Sequence, residues 1–146
     1  MRHLLIEVMS RSQAQKLSEQ TNPSTAIISI SDYNTEKCNI VCTEDNNIKD
    51  VLFLNFDDID FNHYYAIQET DAFRIAEFVN RWKNDVRKLV VHCGAGISRS
   101  AGVAAAIMKH LYGYDWAIFD NPKYNPNMRC YRLTLNALED FKGENK

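Results

Sequence analysis

Residues 89–112 read LVVHCGAGISRSAGVAAAIMKHLY. The first four residues are an apolar run typical of a buried strand, and the alanine-rich stretch after Arg99 predicts a helix that ends at Gly113. Residues 93–98 form a short, glycine-containing connection between the two. We therefore predict a strand, a tight loop and a helix in direct succession.

This loop has the composition of an anion-binding site. The backbone N–H groups of a strand-to-helix loop point inwards, and together with the helix dipole they attract a phosphate group. Gly94 and Gly96 permit backbone conformations closed to residues with a Cβ, which lets the loop surround one tetrahedral anion. The guanidinium of Arg99 adds a planar, two-pronged donor. The predicted phosphate-binding residues are Gly94, Ala95, Gly96, Ile97, Ser98 and Arg99.

Cys93 lies at the base of this positive field, which favours its thiolate, the nucleophilic form, over its thiol. The hydroxyl of Ser100 can donate a hydrogen bond to the sulfur, and this helps most when the thiolate leaves a phosphorylated intermediate. His92 can hold the loop through its ring nitrogens. A buried, inert thiol is the competing interpretation of Cys93, but such a thiol does not require an arginine six residues later.

The pattern His-Cys-x-x-Gly-x-x-Arg-Ser, complete from His92 to Ser100, resembles the signature of the cysteine-based protein tyrosine phosphatase superfamily. The smaller, dual-specificity-like members are the most similar. The resemblance implies that Cys93 attacks phosphorus and forms a cysteinyl-phosphate intermediate. It also implies an aspartic acid that serves first as general acid and then as general base, with no metal ion and no cofactor.

Three aspartates compete for that acid role, because all three follow a predicted strand at residues 51–54. Residues 56–58, Phe-Asp-Asp, resemble the Phe-acid-Asp sequence of several such phosphatases, and Asp58 stands 35 positions before Cys93. We therefore select Asp58. Asp57 and Asp60 remain alternatives and are otherwise solvated loop charges.

Residues 125–127, Asn-Pro-Asn, resemble the segment that supports the phosphate loop in dual-specificity enzymes. Asn127 is equally well placed to cap a terminal helix, since asparagine is a preferred residue at helix N-termini. Both interpretations of Asn127 stay open on the sequence alone.

Predicted strands and helices alternate along the chain. We expect strands at residues 4–9, 26–30, 51–54 and 89–92, and helices at 10–19, 70–82 and 99–112, with a short helix after Asp115 and a terminal helix. Such alternation favours an α/β fold with a mostly parallel sheet of four or five strands and helices on both faces, as a single domain over residues 1–146. Ligands of these sheets bind beyond the carboxyl ends of the strands, where the aspartates and the cysteine loop lie.

The composition argues against several classes of protein. The formal net charge is −2 at pH 7 without a basic stripe, so we expect neither a nucleic acid nor a membrane as partner. No apolar stretch approaches the roughly 18 residues of a membrane helix, and Glu7 interrupts any secretory apolar region. The four cysteines lack metal-binding spacing. We expect a cytoplasmic monomer without metal.

The function expected from these observations is hydrolysis of phosphotyrosine in a phosphorylated protein or peptide, with phosphoserine and phosphothreonine as further substrates. The chain is too short to build a deep cleft selective for phosphotyrosine, and the small, uncharged loop residues disfavour inositol lipids. One alternative is a catalytically weak or inactive phosphate-recognising module of the same fold. Another is a sulfurtransferase or an arsenate reductase, against which Ser100 and the acid-bearing strand end argue.

Overall fold

The computed structural model describes residues 4–141, and the two ends of the predicted 1–146 domain lie outside this range. Its elements in chain order are β1 (Leu5–Met9), α1 (Arg11–Leu17), β2 (Thr25–Ser31), β3 (Ile48–Asn55), α2 (Glu69–Trp82), β4 (Lys88–His92), α3 (Arg99–Tyr112), α4 (Trp116–Phe119) and α5 (Met128–Asp140). None of the helices in residues 4–141 is long and apolar enough to cross a membrane.

The four strands form one all-parallel sheet in the order β1-β4-β2-β3. Strand β4 lies in the interior, with Val91 opposite Val8 of β1 and Ile28 of β2. The predicted α/β fold class is confirmed, and the number of strands is four. Because all strands run in the same direction, their carboxyl ends meet at one edge of the sheet.

Both faces of the sheet are covered, which explains why the strand sequences are almost continuously apolar. Ile28 and Val91 pack into the core cluster that includes residues of α2, α3 and α5, whereas Ile27 and Val90 pack towards α1. All four side chains have no exposed surface. Neighbouring residues of a strand point to opposite faces, so each strand contributes to both core clusters. Burial of an apolar side chain of this size contributes about 1.5–3 kcal/mol.

Strand β3 begins at Ile48 and is longer than the predicted strand at residues 51–54. Ile48 pairs with Thr25 of β2 and is only 2% exposed. The predicted strand begins at residue 51 because Lys49 and Asp50 are polar and interrupt the apolar pattern. Lys49 points to solvent at the edge of the sheet, and the Asp50 carboxylate accepts a hydrogen bond from Trp82 Nε1 at 3.0 Å.

The connection between β2 and β3 is polar in sequence but folds back onto the α1 side of the sheet. The side chain of Asn46 donates to Val41 O at 2.7 Å and accepts from the N–H of Ile48 at 3.0 Å. Within the connection, Cys38 is buried in the core cluster on the α1 side, whereas Cys42 is exposed, and neither forms a disulfide. The first residues of the connection, from Asp32 onwards, lie at the edge of the sheet where β2 ends.

Candidate active site

The cysteine loop, residues 93–98, follows the interior strand β4 and leads directly into α3. Its position is therefore the carboxyl edge of the sheet, between the ends of β1 and β2. Gly94, Ala95 and Ile97 are exposed, so the loop is open to solvent. This is the place where parallel sheets of this type bind ligands.

Gly96 is the loop residue that must be glycine. Its φ is 73°, and a Cβ at this position would lie 2.7 Å from the carbonyl carbon of Met9 and 2.8 Å from the nitrogen of Ser10. Gly94 has no positive φ, and the nearest atom to a Cβ there, Arg99 Nη2, would be 3.7 Å away. Of the two glycines that permit such backbone conformations, Gly96 adopts one and Gly94 does not.

Cys93 is 3% exposed at the base of the loop, and Ser100 is its hydrogen-bonding partner. The Ser100 Oγ lies 3.0 Å from the Cys93 Sγ, and the Ser100 backbone N–H donates to the same sulfur at 3.5 Å. Both contacts are available to stabilise negative charge on sulfur, because a hydroxyl and an N–H can donate to a thiolate. The placement agrees with the expected roles of Cys93 and Ser100, and those roles stay predictions.

His92 is fully buried and connects the loop to β2. Its Nε2 lies 2.6 Å from Ser29 Oγ, and its Nδ1 lies 3.2 Å from the carbonyl oxygen of Cys93. Burial lowers the pKa of His92, which keeps the ring neutral. We assign Nδ1–H as the donor to Cys93 O and Nε2 as the acceptor from Ser29, since a neutral ring has one donor and one acceptor. The sequence did not single out Ser29.

Arg99 is held by two groups that the sequence analysis missed. Its Nη1 lies 2.8 Å from the carbonyl oxygen of Phe56 and 2.8 Å from the Asp32 Oδ1. The sequence predicted a guanidinium with both prongs available for phosphate. In the structure Nη1 is engaged, whereas Nη2 lies next to Gly94 on the loop side. A signal for Asp32 existed, since it directly follows β2 and carboxyl ends of parallel strands meet at one edge.

Asp58 is the aspartate that the structure brings onto the cysteine loop. Its Oδ1 accepts hydrogen bonds from Ser98 Oγ and from Asn127 Nδ2, each at 2.8 Å. The carboxylate of Asp57 instead accepts from the N–H of Tyr33 at 2.8 Å. Asp60 is exposed. The geometry therefore favours Asp58 over the two alternatives.

Asn127 satisfies both interpretations that the sequence left open. Its Oδ1 caps α5 by accepting the N–H of Cys130 at 2.9 Å, and its backbone N–H donates to Ser98 O at 3.0 Å. Its Nδ2 meanwhile donates to Asp58 and to Ile59 O, the latter at 3.2 Å. One residue, through its side chain and its backbone N–H, thus joins the acid-bearing loop, the cysteine loop and the last helix.

The close approach of this segment to α3 depends on Gly102. A Cβ at Gly102 would lie 2.4 Å from the backbone oxygen of Asn127 and 3.0 Å from the Cβ of Cys130. Cys130 itself is fully buried, and burial raises the pKa of its thiol, so it stays protonated at neutral pH. Among residues 4–141, no group of histidine, cysteine or acidic side chains is arranged to hold a metal ion.

The chain matches no protein-family model and no curated protein sequence, but its fold matches solved structures. The human tyrosine phosphatase-like serine/threonine/tyrosine-interacting protein is 20% identical, with a TM-score of 0.62 over 90% of this chain and 89% of that one. Human DUSP28 is 13% identical, with a TM-score of 0.61 over 92% and 91%. PTPMT1 in complex with PI(5)P is 12% identical, with a TM-score of 0.55 over 93% and 91%.

The protein therefore has the fold of the cysteine-based protein tyrosine phosphatases, in its small dual-specificity form. The resemblance inferred from residues 92–100 is confirmed at the level of the fold. One of the matching structures is described as phosphatase-like and as an interacting protein. Because the identities are low, the shared property is the fold, and activity has to be argued from the site.

Proposed function

We propose that this protein is a cysteine-dependent phosphatase that hydrolyses phosphotyrosine, and also phosphoserine and phosphothreonine, in proteins. One observation carries the proposal: the nucleophile and the acid that the reaction needs meet at the cysteine loop and the start of α3. Ser100 lies 3.0 Å from the Cys93 sulfur, and Ser98 donates to the Asp58 carboxylate at 2.8 Å. A nucleophile at the base of the cysteine loop and an acid hydrogen-bonded to the same loop form the arrangement required for phosphate ester cleavage.

In the first step the Cys93 thiolate attacks phosphorus, and the S–P bond forms as the bond from phosphorus to the ester oxygen breaks. Asp58, in its acid form, gives its proton to the departing oxygen. The loop N–H groups and Arg99, whose Nη2 lies next to Gly94, hold the remaining phosphate oxygens. The products are a free hydroxyl on the substrate side chain and a cysteinyl-phosphate.

In the second step the Asp58 carboxylate takes a proton from a water molecule, and the resulting hydroxide oxygen bonds to phosphorus. The S–P bond breaks, inorganic phosphate leaves, and the Cys93 thiolate is restored. Ser100 stabilises this leaving thiolate through the short contact between its hydroxyl and the sulfur.

A protein substrate agrees better with the loop than a phosphoinositide does. The exposed loop residues Gly94, Ala95 and Ile97 are small or uncharged, and none can pair with a second phosphate of a lipid headgroup. The complex of PTPMT1 with PI(5)P shows that a related fold accepts such a lipid. Lipid phosphates are therefore included as a comparison substrate in the test.

The test is hydrolysis of a small aryl phosphate and of phosphotyrosine, phosphothreonine and phosphoinositide substrates. The variants are Cys93→Ser and, as matched control, Cys42→Ser, which changes an exposed thiol. We expect Cys93→Ser to lose turnover and Cys42→Ser to retain it. Full turnover by Cys93→Ser would disprove the proposal, and faster hydrolysis of the lipid than of every peptide would reassign the substrate.

A second candidate function is recognition of phosphorylated proteins without hydrolysis. The similarity to a phosphatase-like interacting protein is the observation that favours it. Wild-type protein would then bind a phosphopeptide with the same affinity as Cys93→Ser and release no phosphate from it. Stoichiometric binding combined with measurable phosphate release would instead exclude this candidate.

A further inference from the structure

Exposed aromatic side chains gather next to the site and form what we call the aromatic rim, defined as Tyr33, Phe61, Tyr64 and Tyr65. The ring centroids of Tyr33 and Tyr65 are 4.3 Å apart, and those of Tyr64 and Tyr65 are 5.2 Å apart. The exposed fractions are 40% for Tyr33, 61% for Phe61, 75% for Tyr64 and 40% for Tyr65. Clustered exposed aromatics of this kind mark a contact surface, because tyrosine is enriched where proteins bind partners.

The aromatic rim lies on the two loops that border the cysteine loop, and hydrogen bonds hold these loops in place. The N–H of Tyr33 donates to Asp57 Oδ1 at 2.8 Å, and the N–H of Asp57 donates to Tyr65 O at 2.8 Å. Tyr33 directly follows Asp32, the ion-pair partner of Arg99, and Asp57 directly precedes Asp58. A polypeptide whose phosphorylated side chain enters the cysteine loop therefore has the rim beside it.

The two segments that carry the aromatic rim are acidic. Residues 31–36 and 55–65 contain no lysine or arginine, and their acidic residues are Asp32, Glu36, Asp57, Asp58 and Asp60. Three cations border them: Arg99 pairs with Asp32, Arg11 donates to Ser31 Oγ and to Glu36 O, and Lys37 lies over the ring of Phe53. Glu36 lines a shallow groove together with Tyr33. Such a surface attracts cations and repels an acidic segment, and the negative ring faces of tyrosines add to the attraction.

We propose that the aromatic rim binds a lysine or arginine side chain close to the phosphorylated residue, so that the substrate class is phosphoproteins with basic residues flanking the phosphorylation site. This inference rests on the proposed function. A guanidinium or ammonium group lies over the exposed tyrosine rings, and the acidic side chains around it balance its charge. The phosphate in the loop and the basic residue on the rim are then bound by surfaces of opposite sign.

The experiment uses three phosphotyrosine peptides that are identical except for flanking arginine, glutamine or glutamate, together with a small aryl phosphate. We expect kcat/KM to be about fivefold to tenfold higher for the arginine peptide than for the glutamine peptide. The glutamate peptide should be the poorest substrate. Added salt should reduce the difference, because it screens the acidic surface.

Two pairs of variants locate the effect. Tyr64→Ala and Glu36→Gln should each lower the ratio of kcat/KM between the arginine and glutamine peptides. Trp116→Ala is the matched aromatic control, since Trp116 is 59% exposed and belongs to α4, outside these loops. Its ring stacks on that of Tyr114, with 5.1 Å between the ring centroids. Glu44→Gln is the matched acidic control. Both controls should leave the ratio as in the wild type.

The outcomes separate this inference from the proposed function. If the small aryl phosphate is hydrolysed in a Cys93-dependent way but the three peptides have equal kcat/KM, the inference is wrong and the phosphatase assignment stands. If nothing is hydrolysed, binding of the three peptides to Cys93→Ser decides: a preference for arginine supports the rim, and equal binding overturns it. A dimer that Tyr64→Ala dissociates would show that a second copy, not a basic peptide, covers the rim.

Discussion

The guanidinium of Arg99 forms an ion pair with Asp32, with 2.8 Å between Nη1 and Oδ1. The arginine side chain is 10% exposed, whereas that of Asp32 is 61% exposed, so the pair joins a buried cation to a solvent-exposed carboxylate. Solvent screening limits what such a pair adds to stability. Its main effect is orientation, because a guanidinium with Nη1 held by Asp32 and Phe56 O can turn only its other edge to the loop.

Asp32→Asn should therefore lower kcat for a small aryl phosphate by about tenfold, since the charge-assisted bond that orients Arg99 is weakened. The affinity for inorganic phosphate should rise, because a negative charge next to the anion site is removed. Steady-state kinetics with phosphate as inhibitor measures both quantities. Asp45→Asn, which changes an exposed aspartate in the β2–β3 connection, is the control. An unchanged kcat in Asp32→Asn would contradict the orienting role.

Asp58→Asn should lower kcat by about a hundredfold or more, which is the usual contribution of a positioned general acid. The loss should be larger for an alkyl phosphate than for an aryl phosphate, because the poorer leaving group depends more on protonation. Asp57→Asn is the matched control, since its carboxylate contacts Tyr33 N and not the cysteine loop. A greater loss in Asp57→Asn or Asp60→Asn than in Asp58→Asn would reassign the acid.

Ser100→Ala should slow the second step more than the first, because the contact between Ser100 and the Cys93 sulfur stabilises the thiolate as it leaves phosphorus. The cysteinyl-phosphate should then accumulate. Pre-steady-state release of the aryl alcohol would show a burst of about one equivalent per protein. Rapid acid quenching and mass measurement would place the added phosphate on Cys93. A slow reaction without a burst would mean that Ser100 serves the first step instead.

Gly96→Ala should lower the free energy of unfolding by at least about 1–3 kcal/mol. The φ of 73° is unfavourable for alanine, and the new methyl group would lie 2.7 Å from backbone atoms of Met9. Denaturant titration measures the loss. Gly94→Ala is the control, since a Cβ there meets only Arg99 Nη2 at an ordinary 3.7 Å. Equal stability of the two variants would show that the backbone of Met9 and Ser10 moves to accommodate the extra methyl group.

The stability of the protein should decrease as the pH falls below about 6.5, the ordinary pKa of histidine. Burial lowers the pKa of His92 in the folded protein, so the unfolded state binds a proton at a higher pH than the folded state does. Proton uptake then favours unfolding between the unfolded and folded pKa values, and stability is fully present above that window.

His92→Asn should remove this part of the pH dependence while lowering stability at all pH values. The measurement is the free energy of unfolding at pH 7.5 and 5.5, by denaturant titration, for the wild type and the variant. His110→Gln is a useful comparison, because burial also lowers the pKa of His110, which is less deeply placed. If the free energy of unfolding changed with pH in the same way for the variant and the wild type, His92 would have the same pKa in the folded and unfolded states.

Local sequence determined the order of strands and helices, the cysteine loop and the helix caps of this protein. The capping box of Ser10 and Gln13 opens α1 within the predicted helix at residues 10–19, and Asn127 caps α5, which is one of the two interpretations that the sequence left open. Such features depend on residues only a few positions apart, whose backbone geometry follows from neighbouring side chains. The nine-residue pattern from His92 to Ser100 belongs to this class, since its N–H groups and cysteine lie in one short segment.

Tertiary structure alone decided which distant groups meet that loop. Asp58 reaches Ser98 across 40 positions, and Ser29 reaches His92 across 63. The pairing of Asp32 with Arg99 and the choice of Asp58 over Asp57 depend on which strand ends are adjacent and how the acid-bearing loop turns. Sequence periodicity specifies which side chains of a strand face the core, but not which strands lie next to it. The order of the strands and the path of the loops are therefore decided by how the core packs.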